Sequence, residues 1–352
     1  MRKFNVFDGH NDFLYRLLKA GPSRKALWPI GDRSGHLDLP RMQRGGFVGG
    51  FFAIYVPSPN DPSIDYDALM DAPPYDLPLP PAIGFEEATA IAMTEAGHLR
   101  WMERASNGAF RICTTGSDLR HTIAAGGIAG IMHMEGAEAI DPDLDALQVW
   151  YAAGLRSVGP VWSRPTAFGH GVPFRFPGDP DTGDGLTPAG CRLVRECDKL
   201  GVLIDLSHLN EAGFDDVARL CTGPMIATHS NAHSVTASTR NLTDRQLHII
   251  AESGGIVGLN FATVFLRPDG RRSADMGWDP VMRHLDHLLS ILGEHGVAFG
   301  SDFDGAEVPK GIGDVTGVQN LCQAMLKHGY GDALVEKIAG ENWLRFLDKA
   351  LV

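Results

Sequence analysis

The stretch FNVFDGHNDFLYRLL, residues 4–18, changes from one structural pattern to another within a few residues. Its first part is a short apolar and alternating run typical of a β-strand, and its last part has the apolar spacing of a helix. Between the two parts lie His10 and Asp12, whose side chain types commonly bind metal ions. Because side chains alternate along a strand, residues at positions i and i+2 point the same way, toward one ion.

Eight apolar, β-branched runs of strand length recur along the chain, with helical segments between them. They are residues 4–10, 46–56, 128–136, 155–162, 202–208, 224–230, 255–261 and 297–305. Several are apolar throughout, as strands buried on both faces must be. Alternating strands and helices predict a parallel sheet, and eight such units predict an α/β fold of the closed (β/α)8 TIM-barrel type. Residues 110–115, FRICTT, are a further candidate strand, so the count alone does not prove the barrel.

Several of the intervening segments carry helix start and stop signals. In residues 187–201, Thr187 is a predicted N-cap, Pro188 occupies the first helical position and a glycine ends the segment. Thr243 and Asp279 are predicted to cap two later helices in the same way. These signals support the alternation of helices with the eight predicted strands.

Residues 1–352 are predicted to form one catalytic barrel domain, because no linker rich in Pro, Gly or Ser divides the chain. Two long proline-rich loops, residues 57–84 and 163–188, each follow a predicted strand. Loops of this length in a compact domain often act as lids or binding loops, although plain surface loops are the alternative. We expect both loops on the face of the barrel where the carboxyl ends of the strands lie.

Composition excludes several classes of function. The 352 residues carry a formal net charge of −12, from 31 Lys and Arg against 43 Asp and Glu, which disfavours binding to nucleic acid or to an anionic membrane. No apolar run approaches the roughly eighteen residues that a membrane helix needs. The five cysteines are odd in number and include no Cys-x-x-Cys pair, which favours free thiols and a cytoplasmic location. A homodimer is left open.

Residues of metal-ligand type stand at the ends of five of the predicted strands. They are His10, Asp12, Glu135, His208, His229 and Asp302. In a (β/α)8 barrel these strand ends surround the mouth of the active site. Imidazoles combined with carboxylates suit zinc, and the set exceeds the needs of one four-coordinate ion, so a two-metal site with a bridging carboxylate is expected. The alternatives for single residues are hydrogen-bonded core histidines and turn-forming aspartates.

Five motifs carry a resemblance to a known family. They are DGHND (8–12), MEGAEAI (134–140), DLSHLN (205–210), THSNAHSVTASTRNLTD (228–244) and GSDFDG (300–305). In their order and spacing the sequence resembles the membrane (renal) dipeptidases and their bacterial relatives, peptidase family M19, which belong with the amidohydrolase-like metal barrels. The resemblance continues to GENWLRFL (340–347) and so covers nearly the whole chain.

The resemblance implies a zinc-dependent dipeptidase with two zinc ions per chain. By this resemblance His10 and Asp12 hold the first zinc, Glu135 and a hydroxide bridge the two, and the second zinc is held by His208 and His229. It also implies that Asp302 is the catalytic acid and base, and that Arg240 binds the carboxylate of the dipeptide. A guanidinium suits that task because it holds a carboxylate bidentately. The expected substrates are L-Xaa-L-Xaa dipeptides, with L-Xaa-D-Xaa left open.

One position departs from the family pattern. Mammalian members have a histidine after the fourth strand that contacts the substrate carbonyl, whereas RSVGPVWSRPT (156–166) offers Trp162. An indole donates through its N–H but cannot act as an acid or base. His170, in the same loop, is a candidate replacement. His133 stands near Glu135, but the family pattern has no ligand there, and His233, close after His229, is expected to support the pocket rather than to bind metal.

Two other functions remain open from the sequence alone. The first is a different hydrolase on the same binuclear barrel, such as an N-acyl amino acid hydrolase, a lactonase or a deaminase, which would share every metal ligand. The second is an inactive barrel used for binding. The ligand types favour zinc, but manganese or cobalt would fit the same set.

Overall fold

Eight short parallel strands surround a common axis in the computed structural model, which describes residues 2–59 and 65–352. They are β1 (Val6–Asn11), β2 (Phe47–Tyr55), β3 (Ile128–Glu135), β4 (Leu155–Gly159), β5 (Leu203–Ile204), β6 (Ile226–Ala227), β7 (Ile256–Asn260) and β8 (Val297–Gly300). Neighbouring strands pair in chain order, and β8 pairs with β1. The bridge between Asp205 and Ile226 joins β5 to β6. The predicted (β/α)8 barrel is therefore confirmed.

Helices connect the strands and cover the outside of the barrel. The α-helices are Phe13–Ala20, Arg24–Leu27, Leu39–Gly45, Tyr66–Met70, Phe85–Ala105, Gly116–Ala124, Asp145–Ala153, Pro188–Leu200, Glu211–Leu220, Asp244–Glu252, Thr263–Leu266, Asp279–Leu292, Val318–His328, Asp332–Glu336 and Asn342–Ala350. Short 3₁₀ turns cover Gly21–Ser23 and Val315–Gly317, and a π-helical turn covers Lys337–Glu341. None of the helices in the described ranges is both long and apolar enough to cross a bilayer.

Two strands are much shorter than the runs that predict them. The runs 202–208 and 224–230 contain only the two-residue strands β5 and β6. Asp205 still forms a bridge with Ile226, and beyond it the chain leaves the sheet, with a positive φ of 70° at His208. The last residues of both runs therefore lie at the rim of the barrel rather than in its wall.

The additional strand predicted at residues 110–115 is present as Phe110–Ile112. It pairs with the first half of β3, where Phe110 lies opposite Ile128. Further along the same edge, β4 pairs with β3 from Met132 onward. The extra strand thus occupies the space before β4 begins, outside the ring of eight.

The predicted helix caps are correct for two helices and wrong by one residue for the third. The Thr187 and Thr243 side chains accept hydrogen bonds from Gly190 N and Gln246 N at the starts of their helices. Asp279 is instead the first helical residue, and Trp278 occupies the cap position. The Asp279 carboxylate pairs with Arg283 at 3.1 Å, one turn along the helix, and so makes no cap bond.

The two long loops meet over the barrel mouth. The segment Tyr75–Asp76 from the first loop pairs antiparallel with Arg175–Phe176 from the second. The first predicted loop, residues 57–84, also contains residues 60–64, which lie outside the described part of the chain. Asp67 and Met70 of the first loop and Phe174 of the second line the same cavity as Glu135, the last residue of β3, so these parts of both loops lie on the face where the carboxyl ends of the strands meet.

The opposite end of the barrel is closed by the C-terminal helix. Trp343 is fully buried, and its ring centre lies 5.2 Å from that of Phe51 on β2. Its indole N–H donates to the carbonyl oxygen of Phe299 at 2.8 Å. Side chains therefore fill the floor of the barrel at this end.

Replacing Trp343 by alanine is expected to lower the free energy of unfolding by about 3–5 kcal/mol, because it leaves a large cavity in a closed core. Chemical denaturation of the purified variant measures this change. Val149→Ala is the control, because Val149 is 65% exposed and its truncation should cost less than about 0.5 kcal/mol. A loss below about 1 kcal/mol for Trp343→Ala would show that the tryptophan does not close the floor.

Candidate metal centre and active site

Five of the predicted ligands converge at the barrel mouth. His10 lies on β1, and Asp12 follows that strand directly, as the residue before helix Phe13–Ala20. Glu135 is the last residue of β3. His208 and His229 stand a few residues beyond β5 and β6, where the chain has left the sheet. Five different positions in the sequence thus supply side chains to one point on the barrel axis.

The Glu135 carboxylate is at the centre of this group. Its Oε1 lies 3.0 Å from His208 Nε2, 3.4 Å from His229 Nε2 and 3.6 Å from His10 Nε2. Asp12 Oδ2 lies 3.6 Å from His10 Nε2. Such separations suit donor atoms that share a metal ion, and one oxygen of Glu135 lies next to all three imidazoles.

The electrostatics of the group favour bound cations. Burial and the Asp304 carboxylate raise the pKa of Asp12 to about 7, and burial raises the pKa of Glu135 well above its usual value. Burial also lowers the pKa values of His208 and His229 well below normal, so both imidazoles are neutral. Neutral imidazoles and clustered carboxylates form a ligand set whose buried negative charge is compensated by divalent cations.

The fit to metal ions rests further on His10. This residue is fully buried, yet neither of its ring nitrogens has a hydrogen-bond partner among the described residues. Leaving buried polar atoms without partners costs free energy, so native structures rarely do so without a ligand. A metal ion bound at Nε2 removes this cost at one of the two nitrogens, and the donor set suits zinc.

Hydroxyl side chains contact the Nδ1 atoms of two of the imidazoles. Ser163 Oγ lies 2.9 Å from His208 Nδ1, and Thr228 Oγ1 lies 2.8 Å from His229 Nδ1. Contacts of this kind orient ligating histidines. Sequence reasoning missed both residues, although each is adjacent in sequence to a residue that it did identify, Trp162 or His229.

Asp302 stands beside the proposed ligands. The Asp302 carboxylate is close to His10 and Asp12. One possible ligand atom from each of these three residues lies within 4.8 Å of the other two. Asn260 Nδ2 donates to Asp302 Oδ2 at 2.9 Å. Burial, followed by the Asp12 charge, raises the pKa of Asp302. A Cβ at position 305 would overlap the carboxylates of Asp12 and Asp302, so the glycine there permits their close approach.

Arg240 is buried on the other side of the site. It donates from Nη2 to the carbonyl oxygen of His229 at 3.0 Å, and its guanidinium carbon lies 5.4 Å from the centre of the Phe265 ring. Its Nε has no partner among the described residues. Burial lowers the pKa of Arg240 to about 10, opposed by the charges of Asp302 and Glu135, so the guanidinium stays protonated near neutral pH.

A cavity of about 840 Å³ opens onto the group. Asp12, Glu135, His208 and Asp302 reach its wall, together with aromatic residues that include Trp162. The centre of the Trp162 ring system lies 5.8 Å from that of His208. The structure therefore places Trp162 next to a predicted ligand and in contact with the space for substrate.

The other three histidines singled out from the sequence make different contacts. His170 is half-buried in its loop, and its carbonyl oxygen accepts a hydrogen bond from Asn210 N. His133 lies below the ligand group, with Nδ1 at 3.0 Å from Ser157 Oγ. His233 Nε2 lies 2.8 Å from the carbonyl oxygen of Gly178. The structure therefore brings His133 next to His10, with ring centres 5.4 Å apart, whereas these contacts of His170 and His233 do not involve the five converging residues.

Comparison with known proteins identifies relatives along the whole chain. A sequence model of the membrane dipeptidase family, peptidase family M19, matches residues 1–351. The crystal structure of a metallo peptidase from Rhodobacter sphaeroides, liganded with a phosphinate mimic of the dipeptide L-Ala-D-Ala, is 62% identical, with a TM-score of 0.97 over 99% of this chain and 100% of that one. An uncharacterized protein in the pqqA 5′ region of Klebsiella pneumoniae is 46% identical over 69% of this chain and 89% of its own length.

Proposed function

The chain belongs to the membrane dipeptidase family, peptidase family M19, and is a metal-dependent dipeptidase; we propose that it works with two zinc ions and accepts both L-Xaa-L-Xaa and L-Xaa-D-Xaa dipeptides. The observation that carries this proposal is the convergence of three imidazoles on the Glu135 carboxylate at the floor of the cavity. In the proposal, the whole chain acts as one catalytic domain in the cytoplasm.

Each metal ion has its own ligands in this proposal. His10 and Asp12 hold the first ion, His208 and His229 hold the second, and Glu135 bridges them. When bound, the two ions supply Lewis acidity, which polarises the scissile carbonyl and lowers the pKa of water at the site. All three imidazoles are available for this purpose, because burial favours their neutral forms.

Two residues of the chain would serve in proton transfer and in substrate binding. Asp302 is close enough to the ligand group to accept a proton from the attacking water and pass it to the leaving amine. Its raised pKa brings it nearer to the range in which a carboxyl group both accepts and donates protons. Arg240 would bind the free carboxylate of the dipeptide, which explains selection against longer peptides, since their terminal carboxylate lies out of reach.

The proposed acceptance of a D-residue at the C-terminal position draws on a similar protein. The Rhodobacter sphaeroides metallo peptidase binds a mimic of L-Ala-D-Ala. In the present chain, Trp162 faces the cavity beside His208, and by the sequence resemblance it corresponds to the family's substrate-contacting histidine. We assign Trp162 a packing role against the substrate, because indole offers no acid or base. The role predicted for His170 stays a prediction.

A substrate panel distinguishes the dipeptidase from the other hydrolases on such barrels. Purified, metal-replete protein is expected to release free amino acids from L-Ala-L-Ala and L-Ala-D-Ala, but not from tripeptides or N-acetyl amino acids. Arg240→Ala should lower kcat/KM for both dipeptides by about 30- to 1000-fold, since truncating one partner of a buried charge pair costs about 2–4 kcal/mol.

The matched control is Arg272→Ala. Arg272 lines the cavity, where it is paired with Asp67 and Glu307, so its removal should change kcat/KM by less than about threefold. Arg240→Lys keeps the charge without the forked geometry and should fall between wild type and Arg240→Ala. Turnover of only the N-acetyl amino acids would contradict the dipeptidase proposal and favour an N-acyl amino acid hydrolase.

A further inference from the structure

A buried aspartate, Asp205, lies beneath the proposed metal ligands. Asp205 follows β5 at the seam with β6, and it is 1% exposed. Its Oδ1 accepts backbone hydrogen bonds from Ser207 N at 3.0 Å and from Thr228 N at 2.8 Å. One oxygen of Asp205 thus holds the backbone on both sides of the seam.

The second oxygen of Asp205 is connected to a metal ligand. Asp205 Oδ2 accepts the hydroxyl hydrogen of Thr228 at 2.5 Å, and Thr228 Oγ1 lies 2.8 Å from His229 Nδ1. A carboxylate only accepts hydrogen bonds, so the single hydroxyl hydrogen of Thr228 points toward Asp205. The hydroxyl oxygen must then accept a hydrogen from His229, whose Nδ1 therefore carries the proton.

This arrangement determines which nitrogen of His229 is free. With the proton on Nδ1, Nε2 keeps its lone pair, and Nε2 is the atom that faces Glu135 at 3.4 Å. Nε2 also lies 3.1 Å from His208 Nε2, a separation that suits two nitrogens sharing one cation. The His229 tautomer that Asp205 and Thr228 favour is thus the one that can bind metal at Nε2.

The same oxygen of Asp205 also faces the other imidazoles under the site. His133 Nε2 lies 3.6 Å from Asp205 Oδ2 and has no hydrogen-bond partner among the described residues. One atom each from His10, His133 and Asp205 lie within 4.8 Å of one another. Asp205 is therefore the carboxylate that these buried rings share on the side away from the cavity.

We propose that Asp205 is a positioning residue that fixes the metal-binding tautomer of His229 through the Thr228 hydroxyl. The inference rests on the proposed function only in that His229 must be a metal ligand. Partners of this kind orient the histidine and raise its basicity, and their loss typically weakens metal affinity by about 10- to 100-fold.

Asp205→Asn tests the tautomer directly. An asparagine oxygen in place of Oδ1 still accepts from Ser207 N and Thr228 N, while its NH₂ group replaces Oδ2 and donates to Thr228 Oγ1. The Thr228 hydroxyl hydrogen then turns to His229 Nδ1, which moves the imidazole proton to Nε2. The variant keeps the backbone contacts and loses the metal-binding tautomer.

The experiment measures zinc affinity by competition with a chromophoric chelator, using metal-free wild type, Asp205→Asn, Thr228→Val and Thr228→Ser. We expect Asp205→Asn and Thr228→Val to bind one of the two zinc equivalents about 10- to 100-fold more weakly, and Thr228→Ser to stay within about threefold of wild type. Thr228→Val is nearly isosteric and carries the test if Asp205→Asn does not fold.

Wild-type affinity for both equivalents in Asp205→Asn, or equal weakening by Thr228→Ser and Thr228→Val, would overturn the inference. Equal weakening of both zinc equivalents, with a lower melting temperature of the metal-free variant, would also overturn it, since that result indicates a structural role. A failure of the dipeptidase proposal appears in turnover of the substrate panel, whereas a failure of this inference appears in the zinc affinity of the variants.

Discussion

Replacing Asp302 by asparagine is expected to lower kcat for L-Ala-D-Ala by about 10²- to 10⁴-fold while two metal ions stay bound, because the amide cannot transfer a proton. The substitution keeps the size of the side chain and an oxygen that can accept from Asn260, which lies 2.9 Å from the native carboxylate. Steady-state kinetics with metal analysis of the same sample measure both quantities. KM should change much less than kcat, since the lost interaction belongs to the proton transfer.

Asp67→Asn is the matched control for Asp302→Asn. Asp67 also lines the cavity, but its side chain is 64% exposed and it pairs with Arg272 at the rim. Removing its charge should change kcat by less than about twofold. A kcat for Asp302→Asn within tenfold of wild type, with the metals retained, would show that another group transfers the proton.

Removing the metal ions is expected to abolish dipeptide hydrolysis and to lower the melting temperature, because ions that bind only the folded state stabilise it. The metal-free protein should also become less stable as the pH rises. Burial raises the folded-state pKa of Asp12 from 3.8 to about 7. The folded state therefore holds this proton more tightly than the unfolded chain, and the resulting stability is present at low pH and lost as the pH rises through about 7.

The buried histidines act in the opposite direction, but only below their normal pKa of 6.5. Above pH 6.5 the carboxyl groups determine how stability changes with pH, since Glu135 also has a pKa raised well above normal. Thermal unfolding from pH 6.5 to 8 should show a falling melting temperature for the metal-free protein and no such fall for the zinc-loaded protein, whose bound cations favour ionised carboxylates. Parallel pH curves for the two forms would contradict the placement of these carboxylates around the metals.

Much of the fold follows from patterns within single segments. The apolar runs predict eight strands and their order around the barrel, because consecutive parallel strands joined by helices become neighbours. The lengths of β5 and β6 do not follow, because the sequence pattern does not mark where the chain leaves the sheet after these strands. The pairing of Tyr75–Asp76 with Arg175–Phe176 is also hidden, because it joins two loops about a hundred residues apart.

The candidate site divides in a similar way. Side chains of metal-ligand type stand out by type and by position at strand ends, which is why the sequence predicts His10, Glu135 and the other proposed ligands. Ser163 and Thr228 do not stand out, because hydroxyl side chains are common at strand ends. Their role becomes visible only in the structure, where each hydroxyl lies next to the Nδ1 atom of a histidine. Asp279 shows a comparable limit for helix caps, since its pairing with Arg283 competes with capping.

A zinc titration of metal-free protein, with dipeptide hydrolysis followed at each addition, tests the proposed binuclear centre. Turnover of L-Ala-D-Ala is expected to rise until two equivalents per chain are bound and then to stay level, because in the proposed centre Glu135 joins two ligand sets of this chain. Full activity at a single equivalent would contradict the binuclear centre. Two bound equivalents without hydrolysis of any dipeptide would contradict the proposed activity.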